Sequence, residues 1–312
     1  MTDTDKSAFR AGIGLVWRRQ GVLWWIFAVN FLLAFMAARP FAADISPVLD
    51  RSLHAAALVH GFNPFVFSAL LTEAKGVSAA STASIWFIVI CFVFMLFVEG
   101  GVLEVYWLDR PLTKGEFFEA SGRFFWRFVR LLVLLLIALI PVGIVYRLVS
   151  RASDALGEKT ANPMPGVWTE FIGLILVLFL MEAVRLWFDM AQVRAVAEDE
   201  RAVWHALRWS LKITCGNFRS LYWIYLRISM VAWLVVALLF AVWVKLVRPE
   251  WVGDSFVITQ LMALAWLATR LWQRASETLW YQQHLALATP PFEPIASPPN
   301  SAFNESTTVG SP

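Results

Sequence analysis

Six stretches of the chain are apolar over a length that matches a lipid bilayer. A membrane-spanning helix needs roughly 17–25 predominantly apolar residues. The stretches are Val22–Ala38, Ser84–Leu108, Phe128–Val149, Val167–Phe188, Leu221–Val244 and Phe256–Leu271. Arg270 and Arg274 interrupt the last one, so we expect a long helix that leaves the membrane and continues to about Ala288.

This pattern predicts an all-α fold, a polytopic membrane helix bundle of about six transmembrane helices with interfacial amphipathic helices. The composition agrees, because 59% of the residues are hydrophobic and only 16% are charged. Soluble domains carry about 45–50% apolar and about 25% charged residues. The chain also holds 17 Trp and 25 Phe, which favour membrane interfaces and crowded helix contacts.

The positive charges between the spans predict the orientation of the bundle. Cytoplasmic loops carry an excess of Lys and Arg. The basic segments are the N-terminus with Lys6, Arg10, Arg18 and Arg19, the second connector with Arg110, Lys114, Arg123 and Arg127, and the fourth with Arg194, Arg201, Arg208, Lys212 and Arg219. The intervening connectors hold fewer. Both termini are therefore expected in the cytoplasm.

The domain organisation is expected to be simple. Residues 1–289 form the transmembrane domain, with an external helical loop at about 39–83, and residues 290–312 form a disordered cytoplasmic tail rich in Pro, Ser and Asn. Within the loop, Ser46 before Pro47 and Asn63 before Pro64 are typical starts of two short helices.

The cytoplasmic connectors also carry helix signals. Thr113 and Glu116 have the spacing of a capping box. Asp199 is a suitable cap for a surface helix that ends near Gly216 and has one apolar face, made by Val203, Ala206, Leu207 and Leu211. Gly100 and Gly101, inside the second span, favour close helix packing.

Three pairs of segments resemble a family of bacterial six-helix inner-membrane proteins of uncharacterised function. They are Leu49-Asp50-Arg51-Ser52-Leu53 with Leu58-Val59-His60-Gly61-Phe62, Gly115-Glu116-Phe117-Phe118 with Phe125-Trp126-Arg127-Phe128, and Val193-Arg194-Ala195-Val196 with Glu198-Asp199. The plan is also similar to the membrane domain attached to some glycerophosphodiester phosphodiesterases. This resemblance implies the six-helix topology and carries no known chemistry.

Catalytic and metal-binding patterns are missing from the sequence. The four histidines lack the spacing of a zinc site, and neither a phosphate-binding glycine loop nor a nucleophile elbow occurs. We therefore expect no enzyme activity, no cofactor and no metal. The net charge of +3 does not favour nucleic acid. Membrane lipids are the expected partners, and the sequence names no protein partner.

The informative residues are charges inside the spans, because a charge at the bilayer centre costs about 2.5–3.5 kcal/mol. Helical spacing places several of them on shared faces. The candidate residues are Glu99, Glu182, Arg185, Asp189, Arg270, Arg274 and Glu277. Two interpretations are open. The charges form an ion-pair network that fixes helix register, or they line a cytoplasm-facing polar pocket for a lipid headgroup or small solute.

The expected role is binding, transport or organisation within the membrane. One alternative is a transporter of a small solute or lipid that uses the polar pocket. The other is a membrane-embedded enzyme acting on lipid headgroups, although no nucleophile–base pair is visible in the sequence.

The predicted topology is testable with reporter fusions. Because the basic connectors alternate with poorer ones, a fluorescent protein fused after Pro312 should fluoresce in the cytoplasm. Alkaline phosphatase fused at the same residue should be inactive. Phosphatase fused in the first external connector serves as the positive control, and active phosphatase after Pro312 would contradict the six-helix topology.

Overall fold

The computed structural model describes residues 3–51, 77–159, 164–248 and 251–284. Within these ranges the chain forms eight helices and no strand. They are α1 (Asp3–Arg18), α2 (Gln20–Arg51), α3 (Val77–Leu108), α4 (Lys114–Lys159), α5 (Met164–Ala197), α6 (Val203–Gly216), α7 (Phe218–Leu246) and α8 (Val252–His284). The predicted all-α fold is confirmed.

Six of these helices are long and apolar enough to cross a membrane. The six segments are Gln20–Pro40, Ile85–Leu108, Lys114–Gly157, Met164–Ala197, Phe218–Leu246 and Val252–His284. Their outer faces expose large apolar side chains such as Ile88, Ile172 and Leu234. Such faces are unfavourable in water and suit lipid. The chain is a multi-pass membrane protein, as the apolar pattern predicts.

Helix α8 lies at the centre of the bundle. It packs against α1, α2, α3, α5 and α7. It is also the least apolar of the six spanning helices, and it buries Gln273, Arg274, Ser276, Glu277 and Thr278. The surrounding helices therefore shield from lipid the helix that could least tolerate contact with it.

Two predictions about the basic connectors have different outcomes. The capping box before α4 is confirmed, since the Thr113 backbone N–H donates to Glu116 at 2.7 Å and the Glu116 N–H donates to Thr113 Oγ1 at 3.3 Å. Asp199 does not cap α6, because its carboxylate pairs with Arg127 at 2.7 Å and the cap position is occupied by Ala202.

The apolar face of α6 also differs from its prediction. The helix ends at Gly216 as expected, and Val203, Ala206 and Leu207 are buried. Leu211 is exposed, and Ser210 is buried on the helix instead. Ser210 is tolerated there because its hydroxyl donates to the Trp187 carbonyl at 2.9 Å.

The first connector begins differently from its prediction. Ser46 does not start a helix, because α2 runs without a break to Arg51, and α3 already begins at Val77. A long helix already under way satisfies the backbone there, so no new cap is needed. The expected second helix at Asn63, the helix end near Ala288 and the tail at 290–312 lie outside the described residues.

Close packing at the glycine pair of α3 is confirmed. A methyl group built at Gly101 would lie 2.7 Å from Ser121 Oγ and 2.8 Å from the Phe117 ring. At Gly100 it would lie 3.0 Å from Phe124 Cβ. These glycines let α3 and α4 approach closely, and so they bring the α3 side chains to the centre of the bundle.

This packing generates a stability prediction. Gly101→Leu should lower the melting temperature in detergent, because overpacking a filled contact costs about 1–3 kcal/mol or more. Gly143→Leu is the matched control, since a methyl group there meets no atom within 4 Å. Thermal unfolding followed by tryptophan fluorescence measures both. Equal melting temperatures for the two variants would show that the α3–α4 contact is loose.

Candidate functional site: a charge cluster beside a cavity

Arg274 is the central cation of the site, and its side chain is only 2% exposed. Its Nε forms an ion pair with Glu99 on α3. Its Nη1 lies 2.9 Å from Asp189 on α5 and 3.2 Å from Glu277 on its own helix. The other terminal nitrogen donates to Gln192 at 2.5 Å. One guanidinium group therefore ties three helices together.

Asp189 is the central anion, and its side chain is 5% exposed. Besides Arg274 it accepts a hydrogen bond from the Tyr225 hydroxyl on α7 at 2.6 Å. Arg270 lies 3.2 Å from the same carboxylate, and Arg185 lies 3.8 Å from it. A carboxylate with this many donors remains tolerable in an apolar bundle.

The outer part of the cluster is more open. Arg185 donates to Gln273 at 3.3 Å and lies 3.8 Å from Glu182. Gln273 in turn donates to Ser229 on α7 at 3.2 Å. All the candidate residues of the sequence thus belong to one connected cluster, namely Glu99, Glu182, Arg185, Asp189, Arg270, Arg274 and Glu277.

Charge balance within the cluster is incomplete. Three guanidinium groups face four carboxylates, so the fully ionised cluster carries one excess negative charge. Glu277 Oε1 and Glu182 Oε2 are buried and have no hydrogen-bond partner in the described part of the chain. Unsatisfied buried oxygens are costly, so they are natural positions for a donor group from a ligand or water.

Sequence reasoning missed three uncharged members of the cluster. Gln192 follows Asp189 by three residues, and Gln273 follows Arg270 by three residues, so helical spacing could have indicated both. Tyr225 gives no such signal, because a tyrosine in an apolar span is common near interfaces. Glu104 is correctly separate from the cluster: it pairs with Arg123 on α4 at 2.5 Å.

A cavity of about 290 Å³ adjoins the cluster. Its polar side is formed by cluster residues, including Glu99, Arg185, Asp189 and Arg270. Its apolar side is formed by residues of α3, α4 and α5, namely Phe92, Met95, Leu96, Leu131, Leu132, Leu135 and Phe188. The cavity is therefore amphipathic, and Phe92 at its edge is exposed on the surface of the bundle.

The cavity extends towards the middle of the spans rather than towards the basic connectors. Its α3 residues precede Glu99, and its α4 residues follow Phe128, so both lie on the side away from those connectors. On the connector side, aromatic rings pack together: the ring centroids of Trp107 and Trp209 lie about 6 Å from the ring centroid of Tyr281. The cytoplasm-facing opening expected from the sequence stays a prediction.

The fold and the site define the class of protein. It is a multi-pass α-helical membrane protein with an ion-pair cluster and an amphipathic cavity inside its bundle. No family model, no curated protein and no solved structure matches the chain. Among the described residues, no group of His, Cys, Asp and Glu side chains has the geometry of a metal site.

The central anion generates a second prediction. Asp189→Asn should lower the free energy of unfolding by about 3–5 kcal/mol, because Arg270 and Arg274 lose their shared countercharge in a low dielectric. Thermal or chemical unfolding in detergent measures the loss. Glu170→Gln is the matched control, since Glu170 lies on the same helix and is exposed.

A double variant separates an ionic effect from a general packing effect. Arg270→Met added to Asp189→Asn should restore part of the lost stability, since it removes a cation that has lost its countercharge. Strict additivity of the two single changes would show that the two side chains do not interact. The same comparison with Arg227→Met, which changes a cation outside the cluster, should give additivity.

Proposed function

We propose that the protein is a non-enzymatic, multi-pass protein of a bacterial inner membrane that binds an amphipathic lipid in the cavity beside its charge cluster. The observation that carries this proposal is the two-sided lining of the cavity. Apolar side chains such as Leu132 and Leu135 suit an acyl chain, whereas Arg185 and Arg270 suit a polar headgroup.

The charges of the cluster favour a headgroup that carries both signs. Arg185 and Arg270 are the most accessible cations, with side chains 36% and 26% exposed, and they can approach a phosphate. The carboxylate of Glu99 lines the same cavity and can accept from an ammonium group. A zwitterionic phospholipid meets both requirements.

The proposed location rests on the distribution of basic residues. The connectors around α1, between α3 and α4, and between α5 and α7 carry most of the Lys and Arg, which supports cytoplasmic placement of both termini. The resemblance to bacterial six-helix inner-membrane proteins agrees with the same location.

A transporter is the second candidate function, and one observation favours it. A smaller cavity of about 50 Å³ lies on the opposite side of the cluster, between α5, α7 and α8. Arg185 and Arg270 line both cavities. A rearrangement of these two side chains would connect the cavities and give a solute a route past the cluster.

Lipid binding is testable by filling the cavity. Leu132→Trp should remove the lipid that co-purifies with the protein, because the indole occupies the space along α4. Leu136→Trp is the matched control, since Leu136 lies on the same helix and is exposed on its outer face. Native mass spectrometry of the purified protein measures the bound lipid.

The outcomes separate the candidate functions. Loss of a bound zwitterionic lipid in Leu132→Trp, with retention in Leu136→Trp, supports the binding proposal. Equal lipid content in both variants would contradict it. The transporter would be favoured if wild-type proteoliposomes show solute flux and Leu132→Trp abolishes that flux. The enzyme would be favoured if the pure protein turns over a lipid headgroup.

A further inference from the structure

Another cavity lies on the opposite side of α3, next to the junction of α1 with α2. It measures about 370 Å³ and is bounded by the junction of α1 with α2, the end of α3 and the start of α4. Its charged residues are Arg18, Arg19 and Lys114, and its aromatic residues are Trp25, Phe117 and Phe118. It shares no lining residue with the cavity beside the charge cluster.

The charged end of this cavity has an excess of positive charge. Arg18 lies 2.9 Å and Arg19 lies 3.1 Å from the same carboxylate, that of Asp109. Lys114 forms no ion pair with any described residue, and the nearby Arg110 pairs with Glu116 at 3.1 Å. Three cations line the cavity, and the one carboxylate near them pairs with two of these cations, which leaves two positive charges for an external anion.

The other end of the cavity is apolar and suits hydrocarbon. The Trp25 ring lies 5.8 Å from the Phe117 ring and 5.7 Å from the Phe118 ring. Val22 and Val105 complete the wall. The apolar span of α2 begins next to Arg19, so the cations lie where a lipid phosphate lies and the aromatic rings lie where its acyl chains begin.

We infer that this cavity is a binding site for one anionic phospholipid, with its phosphate on Arg18, Arg19 and Lys114 and an acyl chain along Trp25. A net negative ligand is required, since the cations outnumber the carboxylate. The cavity beside the charge cluster differs, because two carboxylates, Glu99 and Asp189, line it together with its arginines. The inference does not depend on the proposed function.

The chain offers a matched pair of glycines for the test. Gly21 lines the cavity, and a methyl group built there meets no atom within 4 Å, so a larger side chain can enter the cavity without a clash. Gly115 has the same freedom but does not line the cavity. Each is the second residue of its helix, α2 or α4.

The experiment titrates the purified full chain with phosphatidylglycerol or phosphatidylcholine of identical acyl chains and counts bound lipids by native mass spectrometry. We expect one phosphatidylglycerol to bind more tightly than phosphatidylcholine. Lys114→Gln should weaken it about fivefold, the effect of one charge near a lipid surface. Gly21→Leu should abolish it, and Asp109→Asn should strengthen it by removing the competing carboxylate.

Three controls make the result specific. Gly115→Leu and Lys212→Gln, which changes an exposed cation on α6, should bind as the wild type does. Inorganic phosphate should not displace the lipid, because it lacks the acyl chain. An unchanged melting temperature verifies the fold of each variant. If Gly21→Leu unfolds, the phosphatidylglycerol affinities of Lys114→Gln and Asp109→Asn still test the inference.

Several results would overturn the inference. Equal affinity for the two lipids would exclude an anion-specific site. Equal weakening by Lys114→Gln and Lys212→Gln would show diffuse surface attraction instead of a built site. Displacement by inorganic phosphate would show that the cavity recognises a phosphate without its acyl chain. Leu132→Trp, which fills the other cavity, should leave phosphatidylglycerol binding unchanged.

Discussion

The pairing of Arg274 with carboxylates from three helices is the interaction on which the bundle depends. A guanidinium group this deeply buried is tolerable only when its charge is compensated and its donors are satisfied. Glu99 comes from α3, Asp189 from α5 and Glu277 from α8 itself. Because each carboxylate must reach the same group, the three helices can combine in only one relative register.

Arginine–carboxylate pairs also join helices at the basic connectors, where the charges are more exposed. Asp109 and Asp199 follow α3 and α5 and are the two non-glycine residues with positive φ in the described ranges. Such a conformation ends a helix, and aspartate adopts it more readily than most residues. Each carboxylate then pairs with arginine from another helix: Asp109 with Arg18 and Arg19, and Asp199 with Arg127. The same aspartate therefore both ends its helix and joins the end of that helix to another part of the bundle.

The two larger cavities lie on different sides of α3 and differ in their charged groups. Beside the cluster, Glu99 and Asp189 line the cavity together with three arginines, and the apolar wall comes from α3, α4 and α5. Near the start of α2, cations outnumber the carboxylate, and the wall is aromatic. Both combine a charged end with an apolar end, which is the shape of a lipid.

The sequence by itself determined the class of protein, because the length and number of apolar runs leave few folds other than a six-span bundle. It also indicated the charged residues of the cluster, since a charge inside a span must find a partner. Some local motifs were also predicted correctly from the sequence. The capping box of Thr113 and Glu116 is one example, because its hydrogen bonds involve only neighbouring residues. Ser46 and Asp199 were misleading, since a cap motif is used only where a helix actually begins.

Only the tertiary structure decided which charges meet and where the cavities lie. Helical spacing places Asp189 and Arg274 on faces of their own helices, but the rotation of α5 against α8 brings them to 2.9 Å. Tyr225 joined the cluster without a sequence signal, and its hydroxyl donates to Asp189 at 2.6 Å. Lipid-facing and buried apolar residues look alike in sequence, so packing alone distinguishes them.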